Sequence, residues 1–155
     1  MFFLLDLLLY FCLIFLLSVF MDNYSGINRV LIKKHHLDIG DVSFYKNFVV
    51  VEIKEGLVFN YETAKELLDL GKMYYGSKTP FVYISNRKNS YSFNPLAHDK
   101  TTRMFPNLAG YAVVAYNSIN EEIAIMEQSF FDKPKNIFEN LNNAISWVDE
   151  LIVVD

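Results

Sequence analysis

The apolar residues of this chain follow a β-strand pattern first and a helical pattern later. Three early segments, 29–39, 42–45 and 48–53, are rich in β-branched residues, and FVVVEI in the third is the strongest strand signal of the chain. Turn-forming pairs, Gly40-Asp41 and Lys46-Asn47, separate them. The pattern predicts three antiparallel strands joined by hairpins.

After residue 59 the apolar period changes to that of a helix. Asn60 is a typical N-cap and Gly76 a typical terminator, which predicts a helix from Asn60 to about Tyr75. One apolar stripe runs along it and should face the core: Ala64, Leu67, Leu68, Gly71 and Tyr75.

The rest of the chain alternates between short strands and helices. Wholly apolar runs at 80–84 and 108–116 predict buried strands, and 135–138 predicts a further short one. Asn94-Pro95, Asn117-Ser118 with Glu121, and Asn140 begin the intervening helices. The stripe of the second of these helices is Ile119, Ile123, Met126 and Phe130; that of the last, predicted to face inward, is Leu141, Ala144, Ile145, Val148 and Ile152.

This order predicts an α/β domain over residues 24–155. Its mixed β-sheet should begin with antiparallel hairpin strands and continue through β-α-β-α-β-α units. Alternating strands and helices imply right-handed crossovers, parallel strands and helices packed on the sheet.

Residues 1–20 form a separate, almost wholly apolar segment, MFFLLDLLLYFCLIFLLSVF. Its length would span a bilayer core, and Arg29, Lys33 and Lys34 would then keep the following domain on the cytoplasmic side. It lacks the basic start and the small-residue cleavage site of a signal peptide. The other interpretation is a miscalled start, because Met21 opens the polar sequence MDNYSG. The sequence thus predicts a cytoplasmic protein or, alternatively, a membrane-anchored one.

Composition narrows the function classes. The 155 residues are 52% hydrophobic and 16% aromatic, and the net charge is −4. A nucleic-acid-binding domain would present a basic face, so no nucleic-acid partner is expected. Cys12 is the one cysteine of the sequence, which excludes an internal disulfide.

The segment Tyr83 to Pro95, YISNRKNSYSFNP, is the best candidate for a working surface. Loops between a strand and a helix are usually shorter, and functional residues concentrate on loops held by a rigid scaffold. Arg87 could bind a phosphate or carboxylate, helped by the helix start at Asn94. Tyr91 and Phe93 would suit an interface if exposed and would pin the loop if buried. The predicted binding residues are Ser85, Asn86, Arg87, Asn89, Ser90, Tyr91, Ser92 and Asn94.

The chain resembles the STAS-like family of small bacterial proteins over about residues 29–152. The resemblance lies in the element order, the YISNR stretch after the fourth strand, and IFENLNNAISWV at 137–148. That family is related to anti-sigma-factor antagonists and shares its sheet-and-helix plan with lipid-transfer domains. The resemblance implies a non-enzymatic fold that binds a protein partner.

In the antagonist branch a serine after a strand is phosphorylated, usually within an Asp-Ser pair. Here no acidic residue lies between Tyr83 and Pro95, so Ser85, Ser90 and Ser92 are only regional equivalents of that phosphorylation site, and Ser90 and Ser92 are the candidate phosphosites. The lipid-transfer branch has a deep apolar pocket but is usually longer, and a closed lipid cavity is not expected at this length.

Other chemistry finds little support in the sequence. Adjacent His35 and His36 would point to opposite faces of a strand, so neither a metal site nor a cofactor is predicted. Ser90 with His98 is the conceivable nucleophile–base pair, but His98 is expected to be a surface residue and no enzyme is predicted. The leading hypothesis is a regulatory or protein-interaction domain acting through residues 85–94. The alternative is a small-ligand or anion-binding module using the same segment.

Overall fold

The structure, a computed structural model, describes residues 2–22 and 28–153, with the backbone alone at 2, 5 and 16–22. The predicted domain start at residue 24 lies outside these residues. The strands are β1 (Lys33–Leu37), β2 (Gly40–Phe44), β3 (Phe48–Ile53), β4 (Val58–Phe59), β5 (Phe81–Arg87), β6 (Ser92–Phe93), β7 (Leu108–Ala115) and β8 (Lys135–Phe138). The helices are α1 (Phe2–Asp22), α2 (Lys65–Tyr75), α3 (Ala97–Met104), α4 (Ser118–Gln128) and α5 (Leu141–Leu151).

A six-stranded mixed sheet forms the centre of the molecule, in the order β1-β2-β3-β5-β7-β8. The first three strands are antiparallel, with Val42 opposite both His35 and Val51. The remaining neighbours are parallel: β3 pairs with β5, β5 with β7 and β7 with β8. The predicted α/β plan, antiparallel hairpins followed by β-α-β units, is therefore confirmed.

Helices cover both faces of this sheet. On one face, Ala144, Val148 and Ile152 of α5 and its C-terminal end pack against strand residues such as Val82 and Val114. This confirms the stripe predicted for the last helix. On the opposite face, a larger core joins α2, the end of α3 and Ala124 of α4 to the sheet. All of the stripe residues predicted for the first helix are buried there: Ala64, Leu67, Leu68, Gly71 and Tyr75.

The first helix after the hairpins begins later than predicted. Asn60 does not cap α2, which starts at Lys65. Instead Asn60 Oδ1 accepts a hydrogen bond from Thr63 N, and Asn60 N donates to Thr63 Oγ1, both at 2.9 Å. These two hydrogen bonds stabilise a turn that precedes α2. The Asn60 side chain thus accepts a backbone N–H, as a helix cap does, but in the turn before the helix.

A second, two-stranded sheet was not predicted. It pairs β4 with β6 in parallel, Val58 opposite Ser92 and Phe59 opposite Phe93. These strands are too short to give a periodic signal. Their pairing stacks the rings of Phe59 and Phe93 and adds both side chains to the larger core.

The N-terminal segment forms α1, whose described side chains from Phe3 to Phe15 are exposed. Among the residues whose side chains the structure describes, no helix provides an apolar stretch long enough to cross a membrane.

Candidate functional site

The predicted working loop is shorter than the sequence suggested. Ser85, Asn86 and Arg87 continue β5 and are buried, so the connection begins only at Lys88. The predicted strand end at Ile84 was wrong. The polar side chains that follow it are typical of a solvated loop, but here they are buried and hydrogen-bonded to other side chains of the domain. These partners lie at the C-terminal edge of the parallel strands, where ligand sites of open α/β sheets are usually found.

Arg87 is held in a buried ion pair with Glu127 of α4. Its Nη2 donates to Glu127 Oε2 at 2.8 Å, and each residue is only 1% exposed. Nη2 also donates to the hydroxyl of Tyr91 at 3.1 Å, and the guanidinium lies 4.5 Å from the centroid of that ring. Nη2 is therefore occupied by partners inside the domain, while Nε is buried without a hydrogen-bond partner. Because the residue is almost fully buried, the predicted use of Arg87 for an external anion is not favoured.

Burial raises the pKa of the Glu127 carboxyl, and the guanidinium of Arg87 opposes that shift. For Arg87, burial lowers the pKa, while Tyr91, Tyr111 and Glu127 outweigh it and raise the pKa overall. Arg87 therefore stays charged at every physiological pH. The pair fixes the inner face of α4 to the end of β5, because separating the two charges would leave each of them buried without a partner.

A polar network extends from this pair along the edge of the sheet. The hydroxyl of Tyr91 lies 2.8 Å from Ser85 Oγ. Asn86 Nδ2 donates to Glu52 Oε1 at 2.9 Å, and Tyr116 OH donates to Asn86 Oδ1 at 2.7 Å. Ser85 and Asn86 are thus internally satisfied, and the network orders the connection after β5.

The other predicted binding residues mostly stabilise turns. Asn89 Nδ2 donates to the carbonyl of Ile53, and Asn94 Oδ1 accepts from Leu96 N. Asn94 does not cap α3, whose N-cap position is Leu96. Ser90 is exposed and its backbone N donates to Glu55 Oε2 at 2.7 Å, while Ser92 is exposed in β6.

Helix α4 presents its apolar side outward. Ile119, Met126 and Phe130 are 69%, 58% and 50% exposed, with Ile123 between them half-buried. We call these four residues, on α4 and the turn after it, the α4 stripe. The buried positions of α4 are instead Asn120, Ala124, Glu127 and Gln128. The four residues do share one face of the helix, as predicted, but that face does not pack on the core. The opposite face is buried instead, because Glu127 pairs with Arg87 and Gln128 Nε2 donates to the carbonyl of Asn136 at 2.9 Å.

The histidines occupy three different environments. His35 Nε2 lies 2.9 Å from the hydroxyl of Tyr74, and His36 Nδ1 lies 2.7 Å from Asp41 Oδ1. His98, expected at the surface, is buried in α3 among aromatic rings, which corrects that expectation.

Within residues 2–22 and 28–153, no group of side chains is arranged to hold a metal ion. Ser90 is exposed and His98 buried, so the conceivable nucleophile–base pair is not assembled.

Comparison with known proteins gives one similarity. No family model matches the chain, and no significant relative is found among curated proteins. A solved structure that is similar is an uncharacterised protein from Shewanella loihica PV-4, of the DUF3478 family with a SpoIIAA-like fold. The sequences are 13% identical, the TM-score is 0.48, and the match covers 79% of this chain and 94% of that one.

The likeness concerns the fold alone. SpoIIAA-like is the STAS-like plan that the sequence resembled. The domain described here is defined by its own strand order, with three antiparallel strands continued by parallel ones. Its candidate functional surface comprises the α4 stripe and the connection after β5, which is linked to α4 through Arg87 and Glu127.

Proposed function

We propose that this STAS-like chain is a non-enzymatic protein-interaction domain that docks a partner through the α4 stripe, with the segment 85–94 beside it. The observation that carries the proposal is the orientation of α4. A helix packed on a sheet normally buries its apolar face, whereas Ile119, Met126 and Phe130 are at least half exposed. Contiguous apolar surface on a folded domain commonly marks an interaction site.

The orientation of α4 is fixed rather than incidental. Glu127 is joined to Arg87 on the inner side, so rotating the helix to bury its stripe would expose or separate that ion pair. Ala124, which is fully buried, leaves no room for a larger side chain between helix and sheet. The exposed stripe is therefore a stable feature of the fold.

The charge around the stripe indicates the chemistry of the partner. Glu121 and Glu122 flank it and α4 contains no basic residue. In a symmetric dimer formed through this face, the same acidic residues would approach one another across the two-fold axis. The stripe is therefore better matched by a different protein that offers an apolar ridge bordered by Lys or Arg.

The segment 85–94 lies beside this surface in the proposal and adds to it. Tyr91 contacts Arg87, which contacts Glu127, so the position of the connection is coupled to that of α4. Its exposed members, Lys88, Ser90, Ser92 and Asn94, can offer polar contacts at the rim of the interface. The regulatory role predicted for the two serines would then act by changing charge at this rim.

Site-specific photo-cross-linking tests the proposal. A photoreactive phenylalanine analogue replaces Met126 in one variant and Met73, a similarly exposed residue of α2, in a matched control. Each variant is expressed in the source cells in place of the wild-type chain. We expect position 126 to cross-link to one protein, at a peptide that combines apolar residues with Lys or Arg, and position 73 not to do so.

A second pair of variants gives the loss-of-function arm. Met126→Glu should abolish recovery of that protein, whereas Met73→Glu should leave it unchanged, because both substitutions are equally solvated and should not unfold the domain. Cross-linking of equal yield at both positions would overturn the proposal. A product containing only a second copy of this chain would also overturn it.

A further inference from the structure

A cavity of about 80 Å³ lies inside the larger core, on the sheet face that carries α2 and α3. The floor comes from central strands, at residues such as Tyr83 of β5 and Tyr111 of β7. Leu68 of α2 and His98 of α3 contribute to the walls, and Phe93 of β6 helps to close one end. Natural cores are packed with few voids larger than a water molecule, so a cavity of this size is a distinctive feature.

The lining is apolar and uncharged. Its residues are mainly aliphatic and aromatic, and no Lys, Arg, Asp or Glu is among those that the structure places around the cavity. An ionised ligand would lose its hydration here without gaining a counter-ion. The cavity therefore suits a neutral molecule.

Four buried side-chain atoms of the described residues have no hydrogen-bond partner, and His98 is the residue among them that lines this cavity. It is the buried residue of an otherwise polar helix and is only 7% exposed. The rings of Phe93, Tyr111 and Phe131 surround it, with centroids 4.9, 5.1 and 5.2 Å away. Placing a histidine in an aromatic wall conflicts with ordinary core composition, and such conflicts concentrate at functional sites.

The hydrogen bonds of the His98 ring define what it can recognise. The ring lies beside the backbone of Glu127, and its Nε2 is buried without a hydrogen-bond partner. In the neutral imidazole that carries its proton on Nδ1, the unpartnered Nε2 is a hydrogen-bond acceptor. A buried acceptor without a partner is unfavourable, so a donor that reaches it from within the cavity gains affinity.

We propose that this cavity is a binding site for a small neutral molecule with an apolar body and one O–H or N–H group that donates to Nε2 of His98. An engineered cavity of about 150 Å³ holds one benzene molecule. By the same proportion a cavity of about 80 Å³ has room for roughly three heavy atoms, so a five-membered ring enters it with an outward movement of its walls. This site lies inside the domain and is independent of docking at the α4 stripe.

Pyrrole and furan are matched probes for this site. Both are neutral five-membered rings of similar size, but pyrrole carries an N–H donor and furan does not. Titrations of the full-length protein, followed through methyl resonances of Leu67 and Leu68, should show saturable binding of both. Pyrrole should bind about tenfold more tightly, the effect of one added hydrogen bond to an otherwise unpaired buried acceptor. The ¹⁵N resonance of His98 Nε2 should move with pyrrole and not with furan.

Two variants separate the parts of the proposal. His98→Leu removes the acceptor and should make pyrrole and furan bind equally. Ala64→Leu adds bulk at a buried position of the lining and should abolish binding of both probes while the protein stays folded. Absence of saturable binding to the folded wild-type protein would overturn the proposal. A preference for pyrrole that persists in His98→Leu would overturn the role of His98.

Discussion

Arg87 and Glu127 form a buried ion pair, with Nη2 2.8 Å from Oε2, between the end of β5 and the inner face of α4. The residues are far apart in sequence, and neither could satisfy its charge in the core alone. Their contact determines which face of α4 is buried. It thereby leaves the α4 stripe at the surface, which connects a single long-range contact to the proposed function.

Removing one member of this pair should strongly destabilise the fold. For Arg87→Met we expect the free energy of unfolding to fall by about 3–5 kcal/mol, because the carboxylate of Glu127 remains buried without a partner. Urea denaturation measures this loss. Arg103→Met is the matched control, since its ion pair with Asp99 is exposed on α3 and should contribute less than about 1 kcal/mol.

The double variant Arg87→Met/Glu127→Leu should recover much of the stability lost in Arg87→Met, because apolar side chains then replace both charges. If Arg87→Met were no more destabilising than Arg103→Met, the ion pair could not be what orients α4.

The stability of the protein should depend on pH through His98. Burial, together with the charge of Lys135, lowers the pKa of His98 to about 4, while the hydrogen bond with the backbone of Glu127 opposes this. Below pH about 6.5 the unfolded chain binds a proton at this residue and the folded protein does not. Stability is therefore lost as the pH falls from about 6.5 toward 4, by about 2 kcal/mol between pH 7 and pH 5.

Urea denaturation at pH 7 and pH 5 measures this effect in the wild-type protein and in His98→Gln. The variant should lack the contribution of about 2 kcal/mol. The control His36→Gln changes an exposed ring and should keep it. An identical pH dependence in wild type and His98→Gln would show that His98 is solvated.

Gly110 of β7 should not tolerate a larger residue. A Cβ atom there would lie 2.6 Å from Leu151 Cδ1 and 3.1 Å from the carbonyl oxygen of Pro134. We expect Gly110→Ala to reduce the free energy of unfolding by about 1–3 kcal/mol, as overpacked cores usually do. In the background of Leu151→Ala the additional loss should be smaller, which a double-mutant cycle measures. If the losses of the two single variants simply added in the double variant, Leu151 would not be the residue with which the new Cβ clashes.

The two candidate phosphorylation sites should respond differently to added charge. The backbone N of Ser90 donates to the carboxylate of Glu55, so Ser90→Asp places like charges close together and should loosen the connection after β5. The backbone N of Ser92 donates to the carbonyl of Leu57 in the β4–β6 region, and Ser92→Asp should leave the connection unchanged. Amide hydrogen exchange at residues 88–91 compares them. Equal exchange in both variants would contradict this difference.

The regular parts of the fold could be predicted from sequence because their patterns are local. The stripe of α5, with Ala144 and Val148 fully buried, follows directly from helical periodicity. The strand β3 was predicted with its observed limits, because FVVVEI is bounded by turn residues. The short strands β4 and β6 were missed because two residues give no period.

The candidate site could be predicted only in part. Periodicity showed that Ile119 and Met126 share a helical face, but it could not show that this face is turned to solvent. The orientation of the helix depends on the ion pair of Arg87 with Glu127, which is distant in sequence. The available signal for this pair was a basic residue at the end of an apolar strand. The burial of His98 had no such signal, since α3 is otherwise polar.

Methionine oxidation tests the proposed docking surface most directly. The protein is exposed briefly to hydroxyl radicals in purified form and in native extracts of its source cells, and oxidation of Met126 and Met73 is measured by mass spectrometry. Both side chains are exposed in the free domain, so both should oxidise readily in the purified protein. In the extract, Met126 should be protected by the bound partner while Met73 remains reactive. Equal oxidation of the two residues in both samples would contradict docking at the α4 stripe.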